Sequence, residues 1–160
     1  MMSFQLSQGK YNIPFLLVLI SYLLILIQCK NKDENEYLIP DVYVNMQINL
    51  DLPLYSSLQN PGTYIYIHDE GYKGLIIYHD NSGYIALERT CPYRPLDECS
   101  KVTVDNSGIM IRCGQYKGTN WEPCCNSKFE MNGNVLEGPS IYPLKKYNVT
   151  RDGNMLTIRN

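Results

Sequence analysis

An all-β fold is what the sequence predicts, on three observations. Fourteen tyrosines stand among many Ile and Val, side chains that suit a pleated surface. Apolar and polar residues alternate in short runs, the period of a strand with one buried face. Gly, Asn and Pro break those runs, most plainly at Asp152-Gly153, where residues 147–151 and 155–159 read as a closing hairpin. At 160 residues the chain has room for one domain, usually about 100–200 residues, plus an N-terminal extra.

That extra begins with Lys10, followed by an apolar run over residues 13–27 interrupted by Pro14, Ser21 and Tyr22. As a helix it would cover about 22 Å at roughly 1.5 Å per residue, short of the roughly 30 Å hydrocarbon core. A signal peptide fits better than a span. The run ends at Leu26-Ile27-Gln28-Cys29, which resembles the lipobox of bacterial lipoproteins, although Gln28 replaces the usual small residue. Residues 1–28 are therefore read as a lipoprotein signal peptide, 29–40 as a charged tether (KNKDENE) and 41–160 as the domain. Cys29 is the expected lipidation site and the membrane a partner through that anchor. The alternative is an uncleaved signal anchor, and either way the domain is exported and faces away from the cytoplasm.

Formal net charge is −2, and with only Lys10 charged before Cys29 the rest carries 13 basic and 16 acidic side chains, or −3. No basic stripe calls for nucleic acid.

Within the domain, Val42, Val44, Met46, Ile48 and Leu50 alternate as one strand ending at Leu52-Pro53, and Gln59-Asn60-Pro61-Gly62 marks a loop. Residues 64–68 form the next strand, turning at Asp69-Glu70-Gly71. A hairpin of residues 73–79 and 83–89 then leads into Cys91. Another hairpin turns at Asp105-Asn106-Ser107-Gly108 and delivers Cys113, and a short one turns at Asn132-Gly133-Asn134. His68 and His79, the two histidines, fall at strand ends before the first domain cysteine and read as solvated residues. An enzyme is the weakest reading. No histidine lies near a cysteine to activate it, no Gly-rich phosphate loop occurs, and no carboxylate pair stands out.

Five of the six cysteines lie between Thr90-Cys91-Pro92-Tyr93-Arg94-Pro95 and CCNSKFEMNGNVLEGP, residues 124–139. With YIALERT before them and YPLKKYNV after, residues 64–159 resemble the Rieske iron–sulfur domain family. The resemblance implies small antiparallel sheets with two cysteine-bearing loops at one tip, a [2Fe–2S] cluster, and one-electron transfer with a redox partner protein. The family supplies its ligands as C-x-H and C-x-x-H. Here Cys91-Pro92-Tyr93 stands at the first. At the second, either Cys113-Gly114-Gln115-Tyr116 supplies the pattern and residues 118–125 are an insertion, or Pro123-Cys124-Cys125-Asn126-Ser127-Lys128-Phe129 does, with Glu122 at the cysteine place and Cys125 at the histidine place. Cys91 and Cys113 are the candidate cluster ligands, and Tyr93 and Tyr116 occupy histidine positions.

Two imidazoles on one iron are what raise a Rieske potential above that of an all-cysteine cluster. Tyrosine, with a pKa of about 10, would have to bind as phenolate. Cys99, Cys124 and Cys125 are alternative ligands or disulfide partners. Four thiolates from Cys91, Cys99, Cys113 and one of Cys124 or Cys125 would satisfy an ordinary [2Fe–2S] centre. An exported domain equally favours bridges. By the resemblance, Cys99 with Cys124 matches the bridge that pins the two cluster loops in the family's high-potential members. That pairing leaves Cys91 near Cys113 and Cys125 free or bonded to another chain. The second functional class is then a cluster-free, disulfide-stabilised interaction or structural protein.

Overall fold

The computed structural model describes residues 39–160. The expected signal peptide, Cys29 and nearly all of the expected tether lie outside the described residues. Among the described residues ten strands make two antiparallel sheets. The larger combines β1 (Asn45–Asn49), β2 (Tyr64–Ile67), β3 (Leu75–His79), β4 (Tyr84–Glu88), β9 (Lys146–Asp152) and β10 (Met155–Arg159) in the order β1-β10-β9-β4-β3-β2. The smaller is β5 (Val102–Val104), β6 (Met110–Lys117), β7 (Asn120–Glu130) and β8 (Val135–Glu137) in sequence order. The small sheet is thus inserted between β4 and β9. The expected all-β fold of small antiparallel sheets is the fold observed.

Leu75, Ile76 and Ile77 are fully buried one after another on β3, because the strand is covered on both faces. Leu75 and Ile77 pack with Val44, Ile48, Leu156 and Ile158. Ile76 faces the other way, with Leu87, Val102, Ile111, Phe129 and Leu144. Each such side chain contributes roughly 1.5–3 kcal/mol on burial. β3 and β4 therefore form the wall between two cores, and the second core is the floor beneath the cysteines.

One segment differs from the sequence expectation. No element is expected between the strand end at Leu52-Pro53 and the loop at Gln59-Asn60-Pro61-Gly62, but Pro53–Gln59 is a 3-10 helix. Pro53 pre-sets the first turn, Ser56 Oγ donates to the Pro53 carbonyl at 2.9 Å, and Leu58 is fully buried in the first core. Residues 118–123, most of the stretch that is an insertion in one of the two alignments, turn β6 into β7 as a regular hairpin, with Tyr116 opposite Trp121 and Gly114 opposite Pro123.

Candidate metal centre

The first cysteine loop leaves the end of β4, where Glu88 is fully buried. Its carboxylate accepts hydrogen bonds from the Tyr72 and Lys73 N–H groups, both at 2.9 Å. It also accepts from the Thr90 N–H and hydroxyl at 3.1 and 2.8 Å and from the Tyr147 hydroxyl at 2.8 Å. Five donors thus tie the chain on both sides of β3 and β4 to one anion. Beyond it Thr90 bridges Lys101, and the Cys91 N–H donates to the Ser100 carbonyl at 3.1 Å, so residues 91–100 fold back on themselves. The Lys73 ammonium holds the loop from beneath by donating to the Asp97 carbonyl and, at 3.3 Å each, to the Ser100 carbonyl and hydroxyl.

The second loop comes from a break in register. Arg112 pairs with Lys128, but Gly114, two residues on, pairs with Pro123. Four residues of β7, 124–127, therefore stand against the single Cys113, three more than the ladder needs, and bulge outward. Gly114 makes this possible. Its φ is +138°, and a Cβ there would lie 2.4 Å from the Glu122 carbonyl oxygen and 2.8 Å from the Trp121 ring, so only glycine admits the approach.

The bulge brings Cys125 over Cys91, with sulfurs 3.8 Å apart. Cys113 enters from β6, and the three Sγ atoms all lie within 4.8 Å of one another. Cys91 and Cys113 are buried and Cys125 is half-buried. Beside them Cys99 and Cys124 form a disulfide, Cα atoms 5.4 Å apart, linking the two loops. Cys125 Sγ is 3.2 Å from Ser127 Oγ, which itself accepts the Ser140 N–H at 2.8 Å. The Cys125 thiol donates to the same oxygen; once Cys125 is a thiolate, the serine hydroxyl can turn its own proton to the sulfur.

The electrostatics single out Cys125. Hydrogen bonds from the Cys113 and Cys91 thiols, with the Ser127 hydroxyl and N–H, hold its pKa far below the usual thiol range. Cys113 is pushed up, first by its hydrogen bonds to Cys125 and Cys91 and then by burial. The three thiols are joined by hydrogen bonds, so a thiolate formed among them is stabilised by its neighbours, and a thiolate is the form that binds metal or attacks a disulfide. A surface cavity lined by Tyr93, Arg94, Pro123, Asn126, Glu137 and Pro139 opens onto it.

The other sequence candidates fall differently. Tyr93 lies at the cavity beside Cys125. Tyr116 is directed along the β6–β7 hairpin: its hydroxyl accepts the Asn106 N–H at 3.2 Å and its ring stands edge-on to Trp121 at 4.9 Å. Glu122 is an exposed partner of Lys117 at 3.7 Å. His79 stacks on Tyr84 at 4.2 Å and the His68 ring is 6.3 Å from Tyr66; among the described residues the three-thiol group contains no histidine. Sequence reasoning did not single out Ser127, although its place in the serine register of the second alignment was the available signal. Lys73 offered none, since its role depends on contacts at positions 97 and 100.

No family model matches the chain, and no curated protein matches it in sequence. Comparison with solved structures gives partial likenesses. The plasma membrane Rieske protein PetC3 from the cyanobacterium Synechocystis PCC 6803 is 21% identical, covers 75% of this chain and 100% of its own length, and superposes with a TM-score of 0.47. The ferredoxin of carbazole 1,9a-dioxygenase from Nocardioides aromaticivorans IC177 is 16% identical, covers 74% of this chain and 97% of its own, and gives a TM-score of 0.42.

Proposed function

We propose that this chain is an exported, lipid-anchored domain of the Rieske type that transfers single electrons to or from a partner protein through a thiolate-ligated centre. The observation that carries the reading is the convergence of Cys91, Cys113 and Cys125 within 4.8 Å between two disulfide-linked loops. One-electron transfer is the class implied by the sequence resemblance over residues 64–159.

A histidine-ligated [2Fe–2S] cluster does not fit the residues present. Such a cluster needs two imidazoles on one iron and two thiolates on the other. The described residues bring three thiols together with no histidine among them, and the sulfurs of Cys99 and Cys124 are spent on each other. Any iron held here is bound through sulfur. Full-length protein reduced under anaerobic conditions is expected to show no imidazole nitrogen hyperfine coupling in its electron paramagnetic resonance spectrum. Its potential is expected below the roughly −150 to +300 mV span of Rieske centres. Nitrogen coupling with two irons per chain would sink the proposal.

A second reading is favoured by the Cys99–Cys124 bridge, which joins the loops without metal. The domain would then be a cluster-free, disulfide-stabilised interaction module, and it would be recovered with no metal and no reversible one-electron couple.

The anchor has its own test. Cys29→Ser is expected to leave the precursor unprocessed and without lipid, followed by labelled fatty acid and by membrane fractionation. Undiminished labelling in that variant would reject Cys29 as the anchor.

A further inference from the structure

We infer that the cysteine tip is a mononuclear site, in which Cys91, Cys113 and Cys125 each give one thiolate to a single divalent, thiophilic ion and the fourth coordination place opens toward the Tyr93–Asn126 cavity. The inference rests on the thiolate-centre reading and adds its nuclearity and ligand set.

The spacing of the sulfurs is the first argument. A tetrahedral ion with metal–sulfur bonds of about 2.3 Å sets its ligands roughly 3.8 Å apart. Cys91 and Cys125 stand at 3.8 Å, and the third sulfur is within 4.8 Å of both. Three sulfurs in one triangle face one ion. A two-iron cluster instead divides four terminal ligands into two pairs, and the sulfurs that would complete the second pair are bridged to each other.

The surroundings are the second argument. Metal-bound sulfurs are held by hydrogen bonds that fix their direction, and such donors are present: the Ser127 N–H at Cys125 and the Tyr93 N–H at Cys91, with Ser127 Oγ 3.2 Å from Cys125 Sγ and able to donate to it as a thiolate. Three thiolates and a divalent ion leave one negative charge. The part-buried Lys73 ammonium, close enough to be felt by both Cys91 and Cys113, offsets it. Access is the third. Cys91 and Cys113 are sealed in the second core, whereas Cys125 borders the open cavity. One face of the triangle is therefore open to a water or an exogenous donor, the pattern of sites with three protein ligands and an exchangeable fourth.

The test uses full-length protein with Cys91, Cys113 and Cys125 reduced, titrated with cobalt(II), and assayed for metal and labile sulfide as isolated. One cobalt per chain is expected, with a thiolate-to-cobalt charge-transfer band and the visible bands of a tetrahedral ion. Cys125→Ser, at a half-buried position where the fold tolerates the change, is expected to lose the tetrahedral spectrum. Ser127→Ala keeps the stoichiometry but binds about 10-fold more weakly. A single iron or a single zinc without labile sulfide supports the inference; zinc would do so while overturning the electron carrier, because zinc has no redox chemistry. Two irons with labile sulfide overturn the mononuclear site and leave the carrier standing. Absence of cobalt binding by the reduced chain, or binding unchanged in Cys125→Ser, overturns the inference outright.

Discussion

Glu88→Ala is expected to cost about 3 kcal/mol or more of folding stability, measured by urea denaturation, and to loosen the first cysteine loop with it. The carboxylate is fully buried and accepts from the Tyr72, Lys73 and Thr90 N–H groups and from the Thr90 and Tyr147 hydroxyls. Truncation strands those donors, and a buried donor left without an acceptor costs roughly 1–3 kcal/mol. A loss below about 1 kcal/mol would show that water replaces the carboxylate and that the loop is held elsewhere. Glu88→Gln should cost less, since one oxygen survives, yet it cannot accept on both arms. The site also has a pH signature. Burial, and then the charge of Glu88, push the Tyr147 hydroxyl above its ordinary value of 10.0; burial likewise pushes Tyr66 up to about 12. Folding therefore favours the protonated phenols. Their contribution is fully present below about pH 10 and is lost as pH rises through the folded-state values. Wild-type stability should fall above pH 10, less steeply in Glu88→Gln.

Removing the Cys99–Cys124 bridge by the paired changes Cys99→Ser and Cys124→Ser is expected to lower stability by about 3–4 kcal/mol, the loop-entropy value for a cross-link spanning 25 residues. Half-buried Cys125 should react faster with a thiol reagent in that variant, since its neighbour no longer anchors the bulge to residues 91–100. Wild-type protein under strong reductant should shift by the same amount. A change under about 1 kcal/mol would mean that Lys73 and the sheet pairing hold the loops unaided.

The strands were legible because each carries its own signal: alternation at residues 44–50, the Asp152-Gly153 turn, and the glycines at 108 and 133. The 3-10 helix was not, because its one buried residue, Leu58, has no partner in periodicity. At the site, a linear alignment gives each position one occupant, so Cys113 competed with Glu122 for the cysteine place of the second loop and Tyr116 with Cys125 for the histidine place. A register break opposite Gly114 places them together, and that break depends on which residues of β6 and β7 pair, information no single segment holds. Glu88 was invisible for the same reason, since Tyr72 and Lys73, which donate to it, are 16 and 15 positions away. In the sequence it reads as one more polar residue on a strand.

The order β1-β10-β9-β4-β3-β2 bears on how the molecule comes into being. Asn45 pairs with Arg159 and Ala86 with Tyr147, so the first strand made has no neighbour until the last has emerged. Contacts this distant in sequence place folding among slow, β-dominated topologies, milliseconds to seconds. A chain delivered across a membrane from its N-terminus would expose all five domain cysteines before β10 arrives to complete the large sheet. During that interval the pairing of thiols is decided by the β2-β3-β4 meander, which carries the first cysteine loop, and by the small sheet, because the strands of each are sequential neighbours and can assemble before β9 and β10 arrive.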